Sequence, residues 1–565
     1  MNEYIVTCKS YEDLENFYDD METPGGSLYI PNRSVDLVHR RTISRNTHYM
    51  LTEEEAAEIR KDERVIACEQ PAKNRGIEPE PYWTQTGDFS KQIGNDFAQD
   101  DKNWGLYRLV KGETVSGWGI DQAISQLRRL SNRTISTTAS GKNVDVVIVD
   151  SHLQPLHPEF AVNVDGSGGS RVNQINWFQY SSALGITTPA TYTYQFEDSN
   201  HGTHVAGTAC GNTQGWARDA NIYNMSFRDT GSGVTDWTEK LWDYLRYFHK
   251  NKAINPATGR RNPTVVNNSW GSSYPTSMVT LDDVYSVTYR GTTTSLSGTT
   301  TAQKKTALEA SACSIGSSNF KGRVPAQNAA VLADATDAMN DGVILVASAG
   351  NSFWNCEEVG GPDFDNRIDV AYTFNSVNYN HPIYHNRGSS PGDTPGIICV
   401  GSISADKLEN KANYSNWGGR IDIWAPGTQI ISSVYTHTGL PVLGYTPLFQ
   451  DPRDSNYYYG ITSGTSMASP QITGILACLL EQEPNLTPAE ARQHLIENSL
   501  PDVHDTGVAA NLDPYEGFGD SHNRYAFIPK KRSDDGMASP AQLHKNRNTT
   551  TSGVKYPRVR YQTTS

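Results

Sequence analysis

Four short runs of apolar residues recur along the middle of this chain and restrict its fold more than any other feature. They lie at residues 144–149, 221–225, 265–268 and 343–347. Strands that are apolar at nearly every position are typical of a parallel sheet covered by helices on both faces. Segments with helical spacing lie between them, at residues 237–248 and 325–339. The pattern therefore predicts an α/β fold with a mostly parallel sheet.

The first 70 residues predict a separate, small α+β unit. Short strands are predicted at residues 3–8, 27–31, 47–51 and 65–69, with a helix from Leu14 onward. A capping box that begins at Thr52 starts a second helix. Residues 71–103 are rich in Pro, Gly, Gln and Asp, which is typical of an exposed linker. We therefore expect a domain at 1–70, a linker at 71–103 and the main domain at 104–523.

Two further stretches are predicted to lie outside the main framework. Residues 274–323 are crowded with Thr, Ser and Gly, which favours a surface insertion. Residues 524–565 have more Lys and Arg than Asp and lack apolar periodicity, so we interpret them as a disordered basic tail. A weak contact of this tail with a polyanion such as nucleic acid is the alternative. The net charge of −14 argues against nucleic-acid binding by the whole protein.

The cysteines and the lengths of the apolar runs indicate the cellular compartment of the protein. Seven cysteines are scattered without paired spacing, and their odd number leaves at least one unpaired in a monomer. This usage favours small buried thiols in a reducing environment. The first residues lack the pattern of a signal peptide, and no apolar run approaches membrane-spanning length. We therefore expect a cytoplasmic or viral setting and no membrane partner.

A candidate nucleophile lies in the segment Gly-Thr-Ser-Met-Ala-Ser-Pro at residues 464–470. An apolar run with helical character follows it, so Ser466 is expected where a loop becomes a helix, beside unpaired backbone N–H groups. A serine hydroxyl is inert at neutral pH unless a base takes its proton and donors stabilise the oxyanion that forms. The sequence must therefore supply a base and an oxyanion donor.

Three other segments supply these partners. His201 and His204 lie at a predicted helix start, and His201 is the one expected to face a cleft while His204 is packed. Asp150 ends an apolar strand, where a carboxylate can orient a histidine. Asn351 follows another apolar strand and can donate to an oxyanion beside the Ser466 N–H. Taken singly, each has an ordinary structural explanation as a cap, a turn or a core residue.

Together these motifs resemble the subtilase family of serine proteases, and locally the proteinase K branch. The matching motifs are Val-Asp-Ser at 149–151, His-Gly-Thr-His-Val-Ala-Gly-Thr at 201–208, Ser-Ala-Gly-Asn at 348–351 and the segment at 464–470, in the family's order Asp, His, Ser. The resemblance implies a three-layer subtilisin-like fold. It also implies a triad of Asp150, His201 and Ser466, with Asn351 in the oxyanion hole, acting as a serine endopeptidase on polypeptides.

The resemblance extends to substrate binding and to the first domain. Ser269, Trp270 and Gly271 match the strand that binds the substrate backbone. Residues 1–70 resemble the family's ferredoxin-like propeptide, which implies an intramolecular inhibitor and a zymogen that cuts itself within 71–103. The rival interpretation, from another class, is an inactive protease scaffold that serves as an interaction or assembly protein.

The chain departs from the family pattern at two positions and leaves one metal question open. His152 stands where the family usually has glycine, so it can narrow the cleft or shift a loop beside Asp150. Gln471 replaces a usual histidine, which we interpret as a packing change. The chemistry requires no cofactor. We interpret Glu159 and the nearby carboxylates as part of a solvated loop, and a structural Ca²⁺ there, as in some relatives, is the alternative.

Overall fold

The computed structural model describes residues 1–30, 36–40, 45–71, 83–91, 98, 100–112, 128–186, 200–226, 237–406, 409–435, 446–501, 503 and 521–528. The chain forms two compact units, Met1–Glu80 and a second within Pro81–Lys530. The predicted linker at 72–82 and the tail beyond residue 528 lie outside the described residues. No described helix combines the length and apolarity needed to cross a membrane.

The first unit has the predicted ferredoxin-like topology. Its elements are β1 Asn2–Cys8, α1 Leu14–Glu22, β2 Asp36–Arg40, β3 Asn46–Leu51, α2 Glu53–Ile59 and β4 Val65–Glu69. The sheet order is β2-β3-β1-β4 with antiparallel neighbours. The predicted capping box is present at Thr52 and Glu55. The strand predicted at 27–31 is wrong in its described part, because the Ser27 and Leu28 amides bond to Asp20 at the end of α1.

The second unit alternates strands and helices along most of its length. Its elements up to the sixth helix are β5 Trp83–Ser90, β6 Lys102–Asn103, α3 Trp104–Lys111, β7 Arg129–Thr137, β8 Asp145–Asp150, β9 Val172–Asn173, α4 Ser181–Leu184, α5 Asn200–Cys210, β10 Asn221–Ser226 and α6 Trp237–Asn251. The following elements, to the eighteenth strand, are β11 Thr264–Asn268, β12 Ser273–Tyr274, β13 Val284–Tyr289, β14 Thr292–Ser295, α7 Thr301–Glu309, β15 Val324–Pro325, α8 Ala329–Asn340, β16 Ile344–Ser348, β17 Arg367–Phe374 and β18 Val377–Ile383. The last are β19 Ile398–Ile403, β20 Ile423–Pro426, β21 Ile430–Val434, β22 Thr446–Asp451, β23 Asp454–Thr462, α9 Thr465–Gln482 and α10 Pro488–Glu497.

A seven-stranded sheet forms the centre of this unit. Its order is β20-β19-β16-β11-β8-β10-β9, and every neighbouring pair is parallel. Val146 and Ile148 of β8 pack in the cluster that holds α5 and α9, whereas Val147 and Val149 pack with α6 and α8. Both faces are therefore buried, which explains the continuous apolar runs. The predicted three-layer α/β fold is confirmed.

Three predicted boundaries need correction. The interval 71–103 is not all linker, because β5 pairs with β7 and Phe89 is buried. The tail does not begin at 524, because Tyr525 pairs with Leu500 and Trp424 in the core of the second unit. The interval 274–323 contains folded elements, β13, β14 and α7, whose core is shared with β17.

A buried ion cluster explains why the start of the second unit is folded. Lys91 and Arg108 both pair with Glu409, and all three side chains are fully buried. Lys91 also lies 4.2 Å from the centre of the Trp104 ring. Charges buried this deeply are stable only when paired. The cluster therefore ties the segment around Lys91 to a loop some 300 residues later.

Candidate active site

The parallel sheet brings the candidate residues to one edge. β8 ends at Asp150, β11 is followed by Ser269, and β16 is followed by Asn351. These three strands are direct neighbours, since Asn268 of β11 is in register with Val149 on one side and with Ala347 on the other. Because the carboxyl ends of parallel strands share an edge, the loops that follow them form one site.

Asp150 and His201 are joined by a hydrogen bond. His201 is the second residue of α5, and its Nδ1 lies 2.7 Å from Oδ1 of Asp150. Asp150 is buried, whereas the His201 side chain remains 35% exposed. Burial by itself would lower the pKa of His201, but the charge of Asp150 and this hydrogen bond outweigh it, so the pKa is raised. The carboxylate thus fixes the ring and favours its protonated form.

A close approach of two backbones fixes this pair. A Cβ at Gly202 would lie 2.4 Å from the carbonyl oxygen of Ser151, so only glycine fits there. The Gly202 amide donates to the Ser151 hydroxyl at 3.0 Å. The Ser151 amide and hydroxyl in turn donate to Oδ1 of Asp150. Ser151 therefore joins the strand end to the start of the helix.

Ser466 is the second residue of α9 and is half-buried. Its hydroxyl donates to the carbonyl oxygen of Ser269 at 3.1 Å. In the described part of the chain it is not hydrogen-bonded to His201, although α5 and α9 pack against each other. The hydroxyl would therefore have to turn away from the Ser269 carbonyl before any base could take its proton.

Pro470 and Ser269 shape the backbone at Ser466. Pro470 lies inside α9 and has no N–H, so the Ser466 carbonyl four residues earlier lacks its helical donor. The hydroxyl of Ser269 supplies that donor at 2.9 Å and also contacts the hydroxyl of Ser469 at 2.9 Å. The end of β11 is thereby joined to the first turn of α9.

Asn351 is exposed and held in one orientation by Thr465. Its Oδ1 accepts hydrogen bonds from the Thr465 amide and hydroxyl, both at 2.8 Å. Its Nδ2 is turned toward Gly464, 3.4 Å from where a Cβ on that residue would lie. The neighbouring Gly350 has φ +102°, and a Cβ there would lie 2.6 Å from the Asn416 amide nitrogen. The amide donor is therefore preset next to the Ser466 backbone.

The predicted substrate strand has one free edge. Ser269 is buried, Trp270 is half-buried and Gly271 is exposed. The Ser272 amide donates to Ser390 and its carbonyl accepts from Ala326, both on the same side. Among the described residues, no backbone hydrogen bond involves Gly271. An extended peptide can pair with such an edge.

His204 has a structural environment. It is fully buried in α5, and its Nε2 donates to the carbonyl oxygen of Ile430 at 3.0 Å. Burial lowers the pKa of His204 to about 3, so the ring is neutral in the neutral pH range. It is thus buried and neutral, whereas the His201 side chain is 35% exposed and bonded to Asp150.

The two departures from the family pattern are also buried. His152 is 5% exposed, and its carbonyl lies against Gly202. Gln471 accepts a hydrogen bond from the Trp216 indole at 2.8 Å. A Cβ at Gly105 would lie 2.4 Å from its side-chain nitrogen. Gln471 therefore packs between α3 and the loop after α5, away from the sheet edge.

Glu159 does not have the surroundings of a metal ligand. It is fully buried and accepts hydrogen bonds from Thr213, Gln214, Tyr459 and Arg453. Its oxygens already have donors, one of them a guanidinium. The described residues contain no group of three or more His, Cys, Asp or Glu that could hold a metal ion.

Sequence reasoning missed three contributions to this site. Thr465 orients Asn351, Ser269 acts through its hydroxyl as well as its backbone, and Pro470 frees the Ser466 carbonyl. The proline four residues after the serine was a readable signal, because that spacing removes the donor for the serine carbonyl. The two hydroxyl contacts join residues 114 and 197 positions apart, and no local pattern reveals them.

Comparisons with known proteins show which family the sequence matches. A sequence model described as "Subtilase family" matches residues 141–525. "Subtilisin-like proteinase Mp1" of Magnaporthiopsis poae is 24% identical over 389 residues, which cover 68% of this chain and 65% of the relative. "Extracellular serine proteinase" of Thermus sp. (strain Rt41A) is 24% identical over 398 residues, which cover 70% and 64%. The chain thus spans slightly less than two thirds of these two relatives.

The solved structure of "Sphericase" is also similar. It aligns with a TM-score of 0.41 and 20% identity, covering 77% of this chain and 100% of that one.

The pair formed by Asp150 and His201 predicts a measurable titration. In the Ser466→Ala protein, we expect NMR to give His201 a pKa above the ordinary value of about 6.5. Asp150→Asn should lower it, because the charge that opposes burial is lost. The His201 ring would then lose its proton at a lower pH than in the parent protein. His204 is the internal control and should stay neutral across that range. A His201 pKa that does not respond to Asp150→Asn would contradict this account.

Proposed function

Since the chain belongs to the subtilase family, whose sequence model matches more than half of it, we propose that it is a serine endopeptidase. The observation that carries the proposal is the hydrogen bond between Asp150 and His201 at the sheet edge that also holds Ser466. We also propose, from the resemblance of its local motifs, that it belongs to the proteinase K branch. No cofactor takes part in this chemistry.

Acyl transfer would begin at Ser466. Its Oγ attacks the carbonyl carbon of the scissile bond while Nε2 of His201 takes the hydroxyl proton. Asp150 stabilises the imidazolium that forms, in keeping with its effect on the pKa of His201. His201 then protonates the leaving amine and the acyl-enzyme forms. A water molecule, deprotonated by His201, releases the acyl group and restores Ser466.

The oxyanion would be stabilised by two N–H donors. One is the Ser466 amide, which lies in the first turn of α9, where backbone amides have no partner within the helix. The other is Nδ2 of Asn351, whose orientation Thr465 fixes. Donors held in place before reaction stabilise developing charge without reorganisation.

Polypeptides are the proposed substrates. We propose that they bind as an added strand along the backbone edge at Gly271. Main-chain pairing there would give affinity that does not depend on side chains. Trp270 packs against the core on the α6 face and would hold that strand in place.

We also propose that the first unit is an intramolecular inhibitor and folding assistant. Its ferredoxin-like topology and the motifs at 1–70 support this. The cut that would release it should lie before Trp83, because β5 and Lys91 are integral to the second unit. The predicted interval for the cleavage site, residues 71–103, is thereby shortened to the part before Trp83.

We propose that the protein occupies a reducing compartment. Six of the seven cysteines are buried. Burial raises the pKa of the Cys210 and Cys399 thiols to about 12, which makes them unreactive. A count of seven free thiols in denatured protein from its natural source would support the proposal, and any disulfide would oppose it.

Covalent labelling tests the nucleophile. We expect a fluorophosphonate probe to label wild-type protein at Ser466 and to leave Ser466→Ala and His201→Ala unlabelled, because an unactivated hydroxyl reacts poorly. His522→Ala, at a half-buried histidine that pairs with Glu358, is the matched control and should be labelled normally. His204→Ala should mainly lower stability. A wild-type protein that is folded but unlabelled would favour the inactive scaffold instead.

Turnover tests the oxyanion donor. Asn351→Leu should lower kcat by about 10²–10³ with a smaller change in KM, because the donor acts on the transition state. Thr465→Val is the control, since it removes a hydroxyl bond to Asn351 but keeps the amide donor. The Thr465→Val protein should lose much less of its kcat than the Asn351→Leu protein. Equal losses in the two variants would show that Asn351 acts only by packing.

Mass spectrometry tests self-processing. Wild-type protein should yield an N-terminal fragment that ends before Trp83, whereas Ser466→Ala should stay intact. A cut after Trp83 would contradict the boundary drawn from β5. An intact wild-type chain that still labels with the probe would reject self-processing while leaving the proposed peptidase activity in place.

A further inference from the structure

Arg171 is a buried cation held by neutral oxygen atoms. It is 9% exposed and lies just before β9. Its guanidinium donates to six oxygens at 2.6–3.2 Å, five of them backbone carbonyls and one an amide. These belong to Glu159, Ala161, Cys210, Ala217, Ala220 and Asn212. A shell of carbonyl and amide oxygens is also what hard metal cations bind in proteins.

Arg453 is a second internal cation, and its partners are mainly carboxylates. Its guanidinium pairs with Glu159 at 2.7 Å and with Asp451 at 2.6 Å, and it donates to the Val164 carbonyl at 3.1 Å. Burial alone would raise the pKa of Glu159, but Arg453 more than offsets this and lowers it to about 2. The carboxylate is therefore ionised and already neutralised from within the chain.

Both arginines bind the loops behind the proposed catalytic pair. The segment from Glu159 to Val164 follows the turn after Asp150, and it is held by both guanidinium groups. The loop from Cys210 to Ala220 follows α5, the helix of His201, and it is held by Arg171. Arg171 thus joins the loop that follows β8 to the loop that follows α5. Arg453 joins the loop that follows β8 to Asp451 at the end of β22.

We infer that Arg171 and Arg453 act as tethered cations in place of a structural metal, so that the second unit folds and works without Ca²⁺. Glu159 is thus paired with a side chain, which is neither the solvated loop nor the structural Ca²⁺ site considered for it from the sequence. The oxygens that a metal would need at Glu159 and Asp451 are occupied by a guanidinium. The stabilisation from a bound ion rises with the logarithm of its free concentration and is lost in a chelator, whereas a side chain cannot be removed by a chelator.

The first test compares chelator with calcium on the full-length Ser466→Ala protein, which cannot digest itself. Its Tm should differ by less than about 1 °C between EDTA and millimolar CaCl₂. Elemental analysis after dialysis should show no stoichiometric metal. A gain of several degrees in CaCl₂, or one bound metal ion per chain, would overturn the inference. These readouts do not depend on catalysis, so they stand apart from the proposed peptidase activity.

The second test removes one tethered cation in the same background. Arg453→Ala should lower Tm, because Glu159 and Asp451 are left as buried, unpaired charges. Millimolar CaCl₂, but not NaCl of equal ionic strength, should then raise the Tm of this variant and not that of the parent. Arg246→Ala is the control, since Arg246 pairs with Asp337 and Asp341 at a more exposed site. It should show no calcium response.

Arg453→Lys covers the case in which Arg453→Ala does not fold. Lysine keeps the charge but loses the forked geometry, so its Tm should fall less and CaCl₂ should not change it. A calcium gain in Arg453→Lys or Arg246→Ala equal to that in Arg453→Ala would contradict the inference. An Arg453→Ala protein that folds and does not respond to calcium would also contradict it.

Discussion

All seven strands of the central sheet run in one direction, and the site follows from this constraint. Parallel strands end at a shared edge, so the loops after β8, β11 and β16 meet although they lie far apart in the sequence. Each loop contributes a different chemical group: a carboxylate from Asp150, a backbone edge from Ser269 to Gly271 and an amide from Asn351. The helices α5 and α9 add His201 and Ser466 from their first turns.

The contacts around Ser466 show how the sheet fixes the geometry of a helix start. Pro470 leaves the Ser466 carbonyl without its helical donor, and a buried carbonyl without a partner would be costly. The Ser269 hydroxyl removes that cost and joins α9 to the end of β11. Thr465 makes the equivalent link to Asn351. The backbone amide and the side-chain amide proposed to bind the oxyanion are therefore positioned by separate strands, which limits how far either can move alone.

Local sequence patterns predicted the parts of this fold that depend on local rules. The apolar strands, the capping box at Thr52 and the burial of His204 needed only periodicity and cap chemistry. The strand at Trp83 was missed because its residues are mostly polar and show little apolar periodicity. It is held by distant partners, such as Arg218 against the Trp83 ring and the pair of Lys91 with Glu409. The burial of Tyr525, over which Arg108 packs, was missed for the same reason.

Buried ion pairs join distant segments of the chain throughout the second unit. A buried ion pair adds little net stability compared with an apolar core, because both ions lose their hydration. Breaking one pair is nevertheless costly, so each pair penalises arrangements in which its two segments are apart. Glu409 with Lys91 and Arg108 fixes the start of the unit, and Arg453 with Glu159 fixes the loop behind Asp150. The unit therefore fixes the loop after β8 and the start of its own fold with charges that the chain itself carries.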